Sequence, residues 1–209
     1  WLGWLHVVEE HHDEADALET LVEDVRRAGF RHVMLLGMGG SSLCAEVLRQ
    51  TFGRIDGYPE LLVLDSVVPA QVKAFDARID PSRTLFLVSS KSGGTTETAV
   101  LTQYFMDKVS RAGAGNAAAR NFVAITDPGT TLHTRAKRDR FRSIRYGEPS
   151  IGGRYSALSN FGLVPAALMG VDLPRLLDSA SSLAASSSTV MDTQRNPAAW
   201  LGALMAATA

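Results

Sequence analysis

The stretch LVSSKSGGTTETAVLTQYF, residues 87–105, changes character twice along its length. It opens within a continuous apolar run, TLFLVSS (84–90), which predicts a buried strand. The polar residues that follow predict a loop, and the amphipathic remainder predicts a helix from about 95 to 111. A strand that leads through a glycine-containing loop into a helix is the repeating unit of an α/β fold.

The same unit recurs along the chain. HVMLLG (32–37) predicts a strand that leads into a glycine loop and a helix over 42–52. Further strands are predicted at 61–65, 121–127 and, shorter, 141–146, with a helix at about 69–78. Continuously apolar strands separated by helices predict an α/β three-layer sandwich, a five-stranded parallel sheet with helices on both faces. Such a sheet is flavodoxin-like or Rossmann-like.

Three segments outside these strands are also assigned from their patterns. Apolar residues at helical spacing before Gly29 predict a helix, and they are Leu18, Leu21, Val22 and Val25. RAGAGNAAAR (111–120) predicts a loop. The serine-rich SASSLAASSSTV (179–190) fits either a weak helix or a linker, and we favour the helix.

Composition limits the class of partner. Apolar residues make up 45% of the 209 positions, charged residues 21%, and the net charge is −1. This balance gives no broad electrostatic reason to expect nucleic acid or a membrane as a partner. The single cysteine, Cys44, permits no internal disulfide and favours a cytoplasmic location. Cys44 lies in an apolar stretch, so we interpret it as a small core residue rather than a nucleophile.

Both ends of the sequence suggest a piece of a longer protein. The chain begins at Trp1 rather than methionine, and its last residues form the apolar stretch PAAWLGALMAATA. The opening WLGWL holds two tryptophans, and leaving such side chains in water costs about 1.5–3 kcal/mol each.

The loop after the third strand carries an unusual number of hydrogen-bond donors. Four hydroxyls are placed to donate, from Ser90, Ser92, Thr95 and Thr98. Gly93 and Gly94 expose backbone N–H groups at the start of a helix, and Lys91 adds a cation. These groups suit a phosphate dianion. The alternative is an ordinary helix cap, which needs one hydroxyl rather than four.

The loop after the first strand, GMGGSSL (37–43), brings glycines to the start of a helix, where an anion is favoured. Gly37 and Gly39 begin a dinucleotide fingerprint, and Asp65 ends the second strand. Ser42, however, stands where the third glycine belongs. This loop alone fits a mononucleotide, a dinucleotide or a sugar phosphate equally. No P-loop motif occurs in the sequence.

A third stretch, IGGRYSALSNFGL (151–163), places Arg154 directly after paired glycines. A guanidinium on a tight turn fits two roles equally, stabilising an oxyanion or pairing with a carboxylate.

Together these stretches resemble the sugar isomerase (SIS) domain of the phosphoglucose isomerase family. GMGGSSL is similar to the family's first glycine loop, SSKSGGTTET to its phosphate loop and IGGRYS to its signature, in the same order. The flanking WLGWL, AITDPGTTL and SALSNFGLVPAALMGVDLP resemble the bacterial branch in which a transaldolase precedes the isomerase.

The resemblance implies interconversion of glucose 6-phosphate and fructose 6-phosphate through an enediolate, without a metal or an organic cofactor. It implies that phosphate is held by Ser90, Ser92, Thr95 and Thr98, with Lys91 beside it. Gly40 and Ser41 would contact the sugar. Arg154 would lie near C1 and C2 and stabilise the enediolate, the charge that a preorganised cation suits.

The resemblance also implies what this chain lacks. Family members use a glutamate base, a histidine and a lysine from later in the chain or from a neighbouring subunit; Glu97 and Glu148 are not credible matches for that base. We therefore expect the chain to bind sugar phosphate weakly without isomerising it. The implied division is an N-terminal segment (1–30), the SIS domain (31–175) and C-terminal helices (176–209). A second SIS domain, a transaldolase domain and a homodimer are the implied partners.

Several positions depart from the family pattern. Gly93 and Gly94 replace a bulkier pair found in many animal and plant members, and Asn160 and Phe161 fall outside the commonest signature. Pro165 lies within a predicted helix, where it favours a kink.

The histidines do not predict a metal site. His11 and His12 are adjacent on a predicted helix, so their side chains diverge by about 100° and favour a solvated face. His133 lies in a basic segment that we interpret as a salt-bridged surface, with contact to another domain as the alternative. Its other members are Arg135, Lys137, Arg138 and Arg140.

Three other functions fit parts of the same sequence. A phosphosugar-sensing SIS module without catalysis is disfavoured by Arg154, since such modules usually lack the arginine turn. A nucleotide-dependent dehydrogenase predicts NAD(P)H binding. A dual phosphoglucose/phosphomannose isomerase would share the fold and the chemistry.

Overall fold

A five-stranded parallel sheet organises the chain. The computed structural model describes residues 2–10 and 14–208. The strands are β1 (His32–Gly37), β2 (Glu60–Leu64), β3 (Thr84–Ser89), β4 (Phe122–Thr126) and β5 (Ser143–Tyr146). They pair in the order β2-β1-β3-β4-β5, and every pairing is parallel. The predicted α/β sandwich with a five-stranded parallel sheet is confirmed.

Helices connect the strands and flank the sheet. Those before β3 are α1 (Val7–Glu10), α2 (Glu14–Arg27), α3 (Leu43–Phe52) and α4 (Pro69–Asp76). Those after β3 are α5 (Thr96–Val109), α6 (Thr131–Asp139), α7 (Asn160–Leu168), α8 (Leu173–Ser186) and α9 (Pro197–Thr208). None of these helices is both long enough and apolar enough to cross a bilayer.

Two apolar clusters cover the two faces of the sheet. Alternate strand residues, such as Leu35 and Leu87, pack with α1, α2, α7 and α8. Their neighbours, such as Leu36 and Phe86, pack with α5 and α6. Because both faces are buried, each central strand is apolar at consecutive positions, and this is why the sequence shows runs rather than alternation.

The helix predicted before Gly29 is α2. Leu18, Leu21 and Val25 are each at most 5% exposed and join the cluster that contains α7. Gly29 follows α2 with a φ of 74°, a conformation that ends a helix at little cost for glycine. His11, His12 and Trp1 lie outside the described residues, whereas Trp4 stacks on Tyr155 with ring centroids 5.8 Å apart.

One sequence expectation is wrong, and a second is confirmed in part. The loop predicted over 111–120 is occupied instead by a π-helical turn and a 3-10 helix, Ser110–Ala114 and Gly115–Asn121. Positive φ angles at Gly113 and Gly115 turn the backbone there, and the buried Ala118 anchors the second turn. The helix predicted over 179–190 is part of α8, which begins and ends earlier. Pro165 lies inside α7, and the helix continues through it.

Candidate functional site

The carboxyl ends of β1 and β3 meet at the centre of the sheet. The chain passes from β1 to β2 on one side and then returns to place β3 on the other, so the strand order reverses between β1 and β3. Gly37 and Ser89, the last residues of these strands, are paired in register. Ligands of parallel α/β sheets bind beyond the strand ends at such a switch point. Both candidate loops therefore leave the sheet where a ligand is expected.

The loop after β3 and the first turn of α5 together form what we call the hydroxyl loop (residues 90–98). The N–H groups of Gly93 and Gly94, which were expected to be exposed, donate within the loop instead, to the carbonyl of Ser90 at 3.2 Å and to Oγ of Ser92 at 3.4 Å. Thr95 is the N-cap of α5, but its side chain makes no capping hydrogen bond. Its Oγ1 instead shares a 3.0 Å hydrogen bond with Oγ of Ser90, and Ser92 is exposed. The first-turn N–H groups of a helix have no partner within the helix. The alternative of an ordinary side-chain cap is thus not realised, and amides and hydroxyls remain at the positive end of α5.

Thr98 supplies a buried polar atom without a partner. Its side chain is 2% exposed, and Oγ1 has no hydrogen-bond partner among the described residues. Thr98 lines a cavity of about 280 Å³ together with Ser90, Gly93, Thr95 and other residues. A buried hydroxyl left unpaired costs free energy, so an unpaired donor in a cavity that other hydroxyls also line indicates a ligand or an ordered water.

Lys91 has a different environment from the rest of the loop. Its ammonium donates to Oδ2 of Asp127 at 2.6 Å and to the backbone carbonyl of Glu148 at 2.8 Å. The carboxylate of Asp127 therefore compensates the positive charge of Lys91, which the sequence analysis expected to lie beside the phosphate. Lys91 therefore joins the hydroxyl loop to the end of β4, and its contact with phosphate stays a prediction.

The first glycine loop lies directly against the arginine turn. A Cβ on Gly40 would lie 2.5 Å from the carbonyl oxygen of Gly153 and 3.1 Å from the amide nitrogen of Arg154, so only glycine fits. Oγ of Ser89 donates to the carbonyl of Ser41 at 2.7 Å, which ties the same loop to β3. Three segments that are far apart in sequence thus meet at one edge of the sheet.

The Arg154 side chain is exposed and unpaired. Within residues 2–10 and 14–208, its guanidinium has neither an ion pair nor a hydrogen bond. Of the two roles that its spacing allowed, pairing with a carboxylate is not observed. A free guanidinium beside a glycine loop is available to an anionic ligand.

The segment after β4 was quoted for its family resemblance, but none of its residues was predicted to belong to the site. Asp127 pairs with Lys91, and Oγ1 of Thr131 donates to the carbonyl of Gly93 at 2.5 Å. Gly93 has a φ of 67°, and a Cβ there would lie 2.5 Å from Cβ of Thr130. The stretch TDPGTT at a strand's carboxyl end was the available signal, since parallel strands end at a common edge.

The basic segment on α6 is salt-bridged at two of its members. Arg135 and Arg138 both bind Asp139, at 3.3 and 2.7 Å. Nδ1 of His133 accepts a hydrogen bond from the amide of Gly129, and its Nε2 lies 3.1 Å from the hydroxyl of Tyr146. The interpretation of a salt-bridged surface is confirmed for the two arginines.

Cys44 is half-buried rather than poised for reaction. Its Sγ lies 3.8 Å from the carbonyl oxygen of Ala157, and burial raises the pKa of the thiol above its ordinary value. Only the thiolate is nucleophilic, so a raised pKa suppresses reactivity. Within the described ranges, no three histidine, cysteine or acidic side chains come together to hold a metal ion.

The fold is that of a doubly wound α/β domain, and the candidate ligand site lies at its switch point. The sequence model described as phosphoglucose isomerase matches residues 6–200. The chain belongs to the phosphoglucose isomerase family.

Individual relatives agree with this assignment. A glucose-6-phosphate isomerase from Thermus thermophilus is 34% identical over 182 residues, covering 84% of this chain and 41% of that protein. The crystal structure of a hypothetical protein from Thermus thermophilus superposes with a TM-score of 0.84 at 28% identity, covering 99% of this chain and 48% of the other. The crystal structure of a glucose-6-phosphate isomerase from Chlamydia trachomatis superposes with a TM-score of 0.76 at 26% identity, covering 88% of this chain and 35% of the other. The chain thus spans less than half the length of these proteins.

Proposed function

We propose that this chain is the phosphate-binding half of a glucose-6-phosphate isomerase, which interconverts glucose 6-phosphate and fructose 6-phosphate. The observation that carries the proposal is the hydroxyl loop at the switch point. Its N-cap hydroxyl is not used for capping, and the buried Thr98 hydroxyl has no partner among the described residues. Family membership supports a sugar phosphate as the ligand of this loop.

Each residue has a distinct part in the proposal. The hydroxyls of the loop and the first-turn amides of α5 hold the phosphate, and they come from Ser90, Ser92, Thr95 and Thr98. Lys91, compensated by Asp127, keeps the loop in shape beside the phosphate. Gly40 and Ser41 border the sugar, and the free guanidinium of Arg154 stabilises the enediolate oxygen while a proton moves between C1 and C2.

The proton-shuttling base belongs to the remainder of the protein. Glu97 is exposed on the first turn of α5, and Glu148 accepts a hydrogen bond from the amide of Ser150 at 3.0 Å. Neither lies on the arginine turn. We therefore include in the proposal that a second SIS domain or a neighbouring subunit completes the site, and that a transaldolase domain belongs to the same cytoplasmic polypeptide. The division into 1–30, 31–175 and 176–209 is part of the same proposal.

Helix α9 supports a further packing partner. It buries no residue in the described part of the chain, yet four large apolar side chains on it are each at least 58% exposed, namely Trp200, Leu201, Leu204 and Met205. An exposed apolar surface of this kind is typical of an interface. The second domain, or a second copy in a homodimer, would cover it. Sedimentation of the 209-residue chain at micromolar concentration distinguishes self-association from a monomer.

Binding of the phosphate group is tested by calorimetry with fructose 6-phosphate and, as the control, fructose. We expect heat of binding with the first sugar only. The double variant Ser92→Ala, Thr95→Val should weaken fructose 6-phosphate binding at least tenfold, because hydrogen bonds to a charged group contribute about 1.5–3 kcal/mol each. Equal binding of both sugars, or unchanged affinity in the variant, would overturn the phosphate assignment.

Catalysis is tested separately. A coupled assay with fructose 6-phosphate should show no turnover by this chain alone. Turnover close to that of a complete isomerase would show that the base lies within these residues. Arg154→Gln should leave the unfolding temperature unchanged, because the guanidinium has no ion pair or hydrogen bond to lose among the described residues. The variant should weaken only the binding of the sugar phosphate.

A further inference from the structure

A second and larger cavity lies at the opposite edge of the sheet, where the strands begin. Its volume is about 910 Å³, and it is bordered by the end of α2, the starts of β1 and β2 and the segment after α3. We call it the arginine cleft and define it by Arg26, Arg31, His32, Arg54, Tyr58 and Glu60. The ligand site proposed above lies at the other ends of these strands, so the two sites are separate.

Positive charge in the arginine cleft is not compensated. Arg27 and Glu23 also border the cleft, so four arginines but only two glutamates line it, and these two residues pair with each other at 4.0 Å. Glu60 is already paired with Arg78 at 3.0 Å. Arg26, Arg31 and Arg54 have no carboxylate partner among the residues that the structure describes. The whole chain carries a net charge of −1, so this local excess is not a consequence of a basic composition.

Helix dipoles explain only part of this arrangement. Arginines in the last turn of a helix are favoured by its negative end, and Arg26 belongs to the last turn of α2. Arg31 and Arg54, however, lie outside the helices. Arg26 is also held in place, because its guanidinium lies 4.9 Å from the ring centroid of Tyr58. A cation fixed over a ring needs little reordering when it binds an anion.

His32 contributes its imidazole to the same cleft. Its Nδ1 is buried and has no hydrogen-bond partner in the described part of the chain, while Nε2 lies 3.9 Å from Oε2 of Glu60. Burial lowers the pKa of His32, and the nearby Arg78, Arg54 and Arg31 lower it further against the opposing effect of Glu60. An anion in the cleft would compensate those arginines and supply a partner for the imidazole.

We propose that the arginine cleft binds a polyphosphate, a small ligand with several adjacent phosphate charges. Guanidinium groups bind phosphate through paired hydrogen bonds, and three unpaired guanidiniums exceed what one phosphate group requires. The ring of Tyr58 is already in contact with Arg26, and a Cβ on Gly170 would lie 2.5 Å from the same ring. Both neighbours occupy space that a stacked base would need, so charge rather than base stacking defines the ligand.

Calorimetry with inorganic triphosphate at about 0.15 M salt, where exposed charges are screened beyond about 8 Å, tests the proposal. We expect one site on this chain, with binding weakened about tenfold by Arg31→Gln and by Arg54→Gln. Arg111→Gln, which removes an exposed arginine outside the cleft, is the matched control and should bind unchanged. The double variant Ser92→Ala, Thr95→Val should retain triphosphate binding, which separates this site from the hydroxyl loop.

Nuclear magnetic resonance of the imidazole gives a local readout. Triphosphate should shift the His32 signal, identified by its loss in His32→Gln, and should raise the pH at which it titrates. The proposal is overturned if triphosphate binding disappears in the hydroxyl-loop variant, if Arg111→Gln weakens it as much as Arg54→Gln, or if the His32 signal does not move. An acidic peptide that binds the cleft more tightly than triphosphate would also overturn it in favour of a protein partner.

Discussion

The ammonium of Lys91 lies 2.6 Å from Oδ2 of Asp127, and this ion pair joins the hydroxyl loop to the end of β4. The two side chains are only 16% and 18% exposed. The amide of Asp127 also donates to the carbonyl of Lys91 at 3.2 Å, so backbone and side chain make the same connection. The loop that we propose to hold phosphate is thus shaped by a residue at the end of the neighbouring strand.

Asp127→Asn should lower the free energy of unfolding by roughly 3 kcal/mol, because it leaves a largely buried ammonium without its carboxylate. It should also weaken fructose 6-phosphate binding, since the loop loses its anchor. Urea denaturation and calorimetry measure the two effects. Asp76→Asn is the matched control: it removes the carboxylate from Lys108, which is 38% exposed, and should cost about 1 kcal/mol or less with no change in affinity. Equal losses in both variants would contradict the anchoring role of Asp127.

Gly93→Ala should destabilise the hydroxyl loop, while Gly94→Ala should not. Gly93 has a φ of 67° and abuts Thr130, so alanine meets both a backbone cost of about 1–2 kcal/mol and a steric clash. A Cβ on Gly94 would have no heavy atom within 4 Å, and its φ lies outside the left-handed range. Thermal unfolding should therefore separate two adjacent and chemically identical substitutions. Similar unfolding temperatures for the two would contradict both the left-handed backbone of Gly93 and its contact with Thr130.

Local sequence patterns were sufficient to predict where the strands of the sheet lie. The strand predicted over 84–90 is Thr84–Ser89, and the one predicted over 32–37 is His32–Gly37. These strands are buried on both faces, so each leaves a continuous apolar run that needs no knowledge of its neighbours. The same pattern placed the hydroxyl loop, because a loop's position follows from the strand before it and the helix after it.

Contacts between distant residues were beyond the reach of such patterns. Lys91 and Asp127 are 36 positions apart, and nothing in either local sequence says that the two side chains meet. The close approach of Gly40 to Gly153 likewise depends on how β1 and the arginine turn are placed in three dimensions. The arginine cleft could be predicted even less from the sequence, because its arginines occupy ordinary surface positions that are separated along the chain. They come together only when β1 and β2 pair.

Cys44 should react slowly with iodoacetamide at neutral pH. Burial raises the pKa of its thiol, so the reactive thiolate is scarcer than in an unfolded chain. Mass spectrometry should show slow labelling of the native chain and rapid labelling in urea. Native labelling as fast as that in urea would contradict the half-buried position beside Ala157. Activity in the proposed isomerase should be insensitive to Cys44→Ala, which preserves a small apolar side chain.

Thr98→Val should separate stability from binding. Because Oγ1 of Thr98 is buried without a partner among the described residues, replacing the hydroxyl by a methyl group should raise the free energy of unfolding by about 1 kcal/mol. The same change removes a donor from the cavity beside the hydroxyl loop, so fructose 6-phosphate should bind more weakly. Urea denaturation and calorimetry on one preparation measure both.

Thr102→Val provides the control one turn further along α5. Its Oγ1 donates to the carbonyl of Thr98 at 2.6 Å, so valine loses an existing hydrogen bond and should destabilise the chain by about 1 kcal/mol. Because that hydroxyl is already bonded within the helix, affinity for fructose 6-phosphate should not change. The two substitutions are chemically identical and should have opposite effects on stability. If Thr98→Val also destabilises the chain, the Thr98 hydroxyl has a hydrogen-bond partner in solution and is not available to a ligand.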